Sequence, residues 1–372
     1  MLKKWMLIVL ALVLCVFAHA CAEEIVVEEI RMQMGESVVA YPQLNGLQDE
    51  TIQQKINDDI VMASGVTNHM VTLFTLTGQQ TLKVEYEAYL NEKVFSAVIS
   101  AKGKLPHTRD GHEYTALTYD LQTGERMTLD QLFADTESAV ALIEEKAIAA
   151  LSEELNGYLE YGELAPLPAD SFTVNEDGIT FWYPSEQFSL ISGYSGACQF
   201  WYEELEGLWL ENVLPQQTAE EQKAAIAASV ASGTLPHVPV AMGQNMQEVT
   251  ETYRLLRTPD AFPGGRYFLM EHPALRGVMV ISDSLQESYA ASVVEGIQLR
   301  RGGLHGLLIG KTTQDEWRKV LSAPENTVLM TESMAYDYGL TEGSYDVYRY
   351  GSYQLRLYAD AEGVLNAIQL CK

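Results

Sequence analysis

By residue type and spacing, the best nucleophile in the chain is Ser195, in the run GYSGA at 193–197. A nucleophile elbow needs glycine two residues before and two after the serine, and here Ala197 holds the second place, so the run reads as a glycine-rich loop between strands. His107 and His112 flank TRDG, with Asp110 and Glu113 beside them as further donor groups. Zinc sites space their histidines along a helix or around paired cysteines, whereas this stretch is a Pro/Gly loop and reads as solvated. The acid pairs beginning at Glu144, Glu153 and Glu203 resemble glycosidase carboxylates only superficially, because the chain holds 51 acids and pairs arise in any such sequence. Walker, dinucleotide and EF-hand patterns are absent from the sequence. The expectation is a non-enzyme without metal or cofactor.

Recognition chemistry is better represented. Of the four tryptophans beyond the leader, Trp182, Trp201 and Trp209 fall within one aromatic block. Along GITFWY, Ile179, Phe181 and Tyr183 face one way and Thr180 and Trp182 the other; along ACQFWY, Trp201 shares its face with Gln199. Aromatics on a polar face mark binding surfaces, although packing is the commoner fate of such rings. Trp182, Trp201 and Tyr194 are therefore the candidate ligand contacts.

The elements around these residues alternate between strand and helix. Residues 25–43 read as extended. Ile52, Ile56 and Ile60 recur every fourth residue on a helix face, with Asp49 as N-cap. Strands are expected over 71–76 and 80–103, with a turn at Asn91–Lys93. The stretch YTALTYDLQTGERMTLDQLF, 114–133, is a strand, a turn at Thr123-Gly124, and a short helix capped by Thr128 and Gln131. A longer helix is expected over 137–156. The run bracketed by Pro215, Pro236 and Pro239 has an Ala-rich middle and reads as a linker helix over 213–237, started by Thr218 with Glu221 as its capping partner. Beyond it, 238–372 looks internally repeated, with units at 238–299 and 305–370. Gly243 aligns with Gly310, Gln247 with Gln314, and VVEGIQL with VLNAIQL. The fold class is α+β: antiparallel sheets with packed helices over 23–212, then a tandem of helix-plus-β-meander units.

Lys3 and Lys4, the apolar run Trp5–Ala18 and the small residues before Ala22 form a secretory signal peptide over 1–22, too short to span a bilayer. Two outcomes are open at Cys21: removal with the leader, or lipidation of its sulfur. With the leader gone the chain is exported with no membrane span, and it carries 22 cations against 51 acids, a net charge of −29. Such a surface repels nucleic acid and anionic membranes; it attracts cationic partners, and it also serves solubility. Cys198 and Cys371 are left either as one disulfide or as buried free thiols.

Three pieces together resemble a known extracellular module. They are YPQLNG through IQQKINDDI (Tyr41–Ile60), the 114–133 stretch, and FTVNEDGITFWYPSEQFSLISGYSGACQFWYEEL, covering about 25–212. The module is shared by RsiV-type lysozyme-sensing anti-sigma factors and PdaC-type peptidoglycan deacetylases. The resemblance implies an envelope protein of a Gram-positive bacterium, secreted or attached to the cell surface. It implies a lysozyme-like hydrolase or cell-wall glycan as ligand. No sigma-binding segment precedes the leader and no deacetylase domain follows, so only the non-catalytic module is expected to carry over. The C-terminal tandem is similar in pattern to repeats of secreted bacterial inhibitor and envelope proteins. Two alternatives stay open: a secreted hydrolase with an unrecognised site, and a structural surface or interaction protein.

Overall fold

The computed structural model describes residues 25–76, 80–104, 111–154, 166–184, 196–211, 217–256, 258–263, 265–270, 272–283 and 291–372. Cys21, His107, Asp110, Tyr194 and Ser195 lie outside these. The fold is α+β, with seven α-helices among the described residues. The chain forms two compact units, one of residues 1–127 with 171–175, the other of 128–170 with 176–372.

The first unit is a five-stranded sheet in the order β1 (Val26–Met34), β2 (Ser37–Asn45), β3 (Thr81–Leu90), β4 (Val94–Lys104), β5 (Gly111–Asp120). All neighbours are antiparallel except β2 and β3, joined in parallel at Val38–Lys83 and Val39–Val84. A parallel pair needs a crossover. Here it is α1 (Glu50–Ala63) and α2 (Val66–Leu73), which bury Ile56, Ile60, Val66 and Leu73 on the sheet. Asp49 caps α1 as expected, accepting from the N–H groups of Thr51 and Ile52. The strand expected over 71–76 is instead the end of α2 and its C-cap. Local β propensity in VTLFTL yields to burial of the Val66–Leu73 face.

The 114–133 stretch behaves as its pattern requires. Leu117, Tyr119 and Leu121 enter the core, Gly124 turns at φ 67°, and Asp120 accepts from the Gln122 and Thr123 N–H groups. Asp59 of α1 accepts from Tyr119 OH at 2.9 Å and from Arg126 Nε at 2.7 Å, which fixes the turn to the helix. The opposite face is also buried, because β6 (Phe172–Val174) crosses it: Thr118 donates to Phe172 O and Val174 N–H donates to Ser96 Oγ.

In the second unit, α3 (Thr136–Glu154) buries Ala139, Ile143 and Ala147 but leaves Ile148 exposed. β7 (Gly178–Trp182) pairs antiparallel with β8 (Ala197–Trp201). Next, α4 (Ala219–Ser232) has the expected capping box, with Glu221 Oε2 accepting from Thr218 N–H. It is not a linker, since Ile226 and Val230 are fully buried in the core of this unit. The two units divide at Met127–Thr128, with Ser171–Asn175 returning to the first.

The tandem is present. α5 (Met246–Thr252) precedes β9 (Asp260–Phe262), β10 (Gly265–Phe268), β11 (Val278–Ser282) and β12 (Val294–Leu299). After the short hairpin of β13 (Gly303–Leu304) and β14 (Leu307–Leu308), α6 (Gln314–Leu321) precedes β15 (Asn326–Met330), then α7 (Glu332–Tyr338), β16 (Gly343–Tyr350), β17 (Tyr353–Ala359) and β18 (Leu365–Cys371). The strand order β15-β16-β17-β18-β12-β11-β10-β9 places the two meanders back to back. At the join, Gln298 opposes Gln369, while Ile297 opposes Leu370 and Leu299 opposes Ile368. The two Ile-Gln-Leu runs thus exchange places about a pseudo-two-fold axis through the paired glutamines.

The helices dock by equivalent bonds. Gly243 N–H donates to Val294 O (2.8 Å) and Gly310 N–H to Leu365 O (2.7 Å); Met246 N–H donates to Ser292 O and Gln314 N–H to Gly363 O. Gly243 and Gly310 correspond, both at positive φ. Gln314, however, matches Met246 and not Gln247, because the second copy has one more residue in its turn.

Candidate functional site

A gathering of polar groups lies in the second unit, around β8, the turn after it, α4 and the β13–β14 hairpin. Trp201 ends β8. Its backbone N–H donates to Glu204 Oε2 at 2.8 Å, and its ring lies under the Arg301 guanidinium at 5.0 Å and beside His237 at 5.2 Å. His237 adopts φ 62° and so directs its imidazole between two acids, Nδ1 at 2.5 Å from Asp177 Oδ1 and Nε2 at 3.3 Å from Glu203 Oε1. Burial opposes charge on this imidazole, but the bonds to Asp177 and Glu203 prevail and push its pKa up to about 9. At neutral pH it is an imidazolium clamped by two carboxylates, suited to holding structure and unsuited to accepting a proton.

A second histidine is set differently. His305, at φ 48° in the β13–β14 turn, has Nε2 2.8 Å from Ser229 Oγ on α4, and its carbonyl accepts from Gln222 Nε2. Burial holds its pKa below the usual imidazole value, against the charge of Glu203. A neutral ring accepting from a serine hydroxyl is the first half of a nucleophilic dyad. Ser229 sits inside a helix, where backbone N–H groups are engaged along the axis and do not converge on an oxyanion.

The sequence candidates fall as follows. Trp201 is fully buried in the core shared with Val230, Leu299 and Leu304, so its expected place on an exposed polar face is corrected. All of β8 is buried, because the core covers both of its faces and the strand's alternation has no solvent side to report. Trp182 is half-buried at the end of β7. Cys198 and Cys371 are buried and are not joined in a disulfide. His112 lies in β5 of the other unit. Among the described residues no cluster of three or more His, Cys, Asp or Glu is arranged to hold a metal ion, and no helix is long and apolar enough to cross a membrane. Sequence reasoning missed His237 and His305; the only signals were a Pro-His pair and a His-Gly pair at sharp turns.

Gly302 shows how tightly the site is built. It adopts φ 69°, and a Cβ there would overlap the Trp201 ring. Gly302→Ala is expected to lower stability by about 2–4 kcal/mol, the sum of a strained φ and an overpacked core. Urea unfolding measures it, and a loss below about 1 kcal/mol contradicts the packing described.

No family model matches the chain, and no curated protein does. Several solved structures are similar to parts of it. A member of the DUF3298 family from Bacteroides fragilis is 15% identical with a TM-score of 0.38, over 50% of this chain and 94% of that one. A DUF3298 family protein from Pseudomonas aeruginosa is 12% identical with a TM-score of 0.36, over 52% and 96%. A DUF4309 family protein from Bacillus subtilis is 13% identical with a TM-score of 0.30, over 42% and 99%. None of these three carries the RsiV-type or PdaC-type name, and likeness this slight assigns neither family nor activity.

Proposed function

We propose that this chain is an exported, non-catalytic recognition protein of the cell envelope whose ligand is a cationic protein of the lysozyme class. The observation that carries this reading is a charge asymmetry: between Arg126 and Lys223 the chain has nineteen carboxylates and one cation, Lys146. Solubility alone does not require so one-sided a stretch. Exposed members include Glu137, Glu145, Glu206 and Glu220. Acids on this scale steer a basic protein toward the surface and raise its association rate, an effect that salt screens over about 8–10 Å. The resemblance of residues 25–212 to a lysozyme-sensing module points the same way. Cell-wall glycan, the other ligand that resemblance implies, loses one of its three aromatic candidates with the burial of Trp201.

The test is retention of lysozyme and of purified cell wall on the immobilised chain, at low and at physiological salt. Lysozyme is expected to bind at both, more weakly at the higher. Changing Glu137, Glu145, Glu206 and Glu220 together to Gln is expected to weaken binding about tenfold or more. Absence of lysozyme retention at low salt overturns the proposal, and retention of cell wall alone replaces the ligand.

A further inference from the structure

The eight-stranded sheet has a second face, turned away from α4, α5 and α6. It curls: the Tyr338 ring lies 5.4 Å from Phe262 on β9 and 6.0 Å from Tyr358 on β17. These strands stand five places apart, about 24 Å in a flat sheet. The second face is therefore concave, and the end of α7 sits within it.

One row across this concavity is Val347, Arg356, Gln369, Gln298 and Met279, each opposite the next on adjacent strands. Directly opposed residues share a face. Gln369 is partnered, its Oε1 accepting from Tyr358 OH at 2.5 Å. Gln298 is 0% exposed, yet neither its Oε1 nor its Nε2 has a hydrogen-bond partner. Buried carboxamides without partners are rare and unfavourable. Two strands away, Arg356 is half-buried above the Tyr345 ring at 5.7 Å, and its Nε is also unpaired. Among the described residues it meets no carboxylate, in a unit holding 35 acids and 14 cations. Its side-chain partners are neutral, Gln354 Oε1 at 3.4 Å and the Tyr358 hydroxyl. An acid-rich unit that withholds a carboxylate from a buried guanidinium has left that place for another group.

We propose that the concave face binds a carboxylate carried by a ligand, taken by the Arg356 guanidinium and by the Gln298 Nε2–H. A carboxylate matches the guanidinium fork. The free Gln298 Oε1 then accepts from an amide N–H on the same ligand. An N-acylated α-amino acid supplies both groups, whether as a small molecule or as the C-terminus of a peptide. This site is independent of the cationic partner proposed above: it rests on Arg356 and Gln298 and on none of the acids between Arg126 and Lys223, so the failure of either leaves the other standing.

The test is calorimetric titration of the full chain with N-acetylglycine and with N-acetylglycinamide, and of a heptapeptide with a free or an amidated C-terminus. The acid forms are expected to bind saturably and the amides not. Tighter binding of the free peptide assigns a chain terminus, and equal binding assigns the small acid. Arg356→Gln and Gln298→Met are each expected to weaken binding about tenfold or more. Arg349→Gln, at an exposed ion pair with Glu325, leaves it unchanged. Gln298→Met carries the test if Arg356→Gln does not fold. It removes both unpaired atoms at nearly constant shape, so the ligand-free thermal midpoint is expected to hold or rise. Absence of saturable acid binding, equal binding of acid and amide, unchanged affinity in Gln298→Met, or a lowered midpoint in that variant overturns the proposal. The last outcome means that buried water, not a ligand, satisfies the amide.

Discussion

Asp346→Ala is expected to destabilise the second unit by about 3–5 kcal/mol, the range for breaking a buried ion pair from one side. Asp346 is 0% exposed on β16. Its carboxylate accepts from Arg318 Nε (2.7 Å) and Nη2 (2.8 Å), from Thr327 Oγ1 (2.6 Å) and from Trp317 Nε1 (3.0 Å). One side chain thereby joins α6 to β15 and β16. Arg318 is partly exposed and can turn to solvent, but the Trp317 indole is fully buried and its N–H is left unpaired. The first copy shows that the fold itself does not demand this cluster. By the strand register about the pseudo-axis, Phe268 holds the place of Asp346 and packs in the core. Burial works against the Asp346 charge, but the bonds from Arg318, Thr327 and Trp317 outweigh it and hold the carboxyl below the usual range. The stabilisation is therefore present above the unfolded value of about 3.9 and fades as pH falls through the lower folded value. Urea midpoints for wild type and Asp346→Asn should differ at pH 7 and converge in acid. A loss under about 1 kcal/mol in Asp346→Ala at pH 7 would show that the cluster carries little.

Legibility in the sequence followed periodicity and ended where two faces are buried. The isoleucines of α1, the Gly124 turn, the Thr218 cap and the paired Ile-Gln-Leu runs were readable because each rests on local geometry or on repetition. The Val66–Leu73 helix was not, because β-branched residues favour strand until packing intervenes. Trp201 misled for a related reason: beside Gln199 it looks amphipathic, but a strand with no solvent face has no polar side to read. The Ala-rich helix between prolines looked like a tether because alanine hides how much surface it buries; Ile226 and Val230 alone identify it as core. The histidines escaped because their roles depend on residues 34 to 76 positions away in the chain. The concave face escaped too, since an unpaired amide is visible only once its neighbours are placed.

The His237 clamp yields the second large effect, and its sign is opposite to that of Asp346. A group with its pKa raised on folding stabilises most when both states are protonated, below the unfolded value of about 6.5. That contribution fades as pH climbs through the folded value of about 9. The interval corresponds to about 3 kcal/mol. The contrast is best made with His237→Asn, since asparagine tolerates the positive φ that the site imposes. The stability difference between wild type and variant should be large at pH 6, smaller at pH 8 and nearly gone above pH 9.5, with the Asp346 pair unaffected across the same span. Deprotonation leaves one of the two acids facing a ring nitrogen without a proton. Glu203, whose Oε2 already lacks a partner, is the weaker-held of the two and should release first. A stability difference that stays constant from pH 6 to pH 9.5 would mean that His237 acts by shape alone.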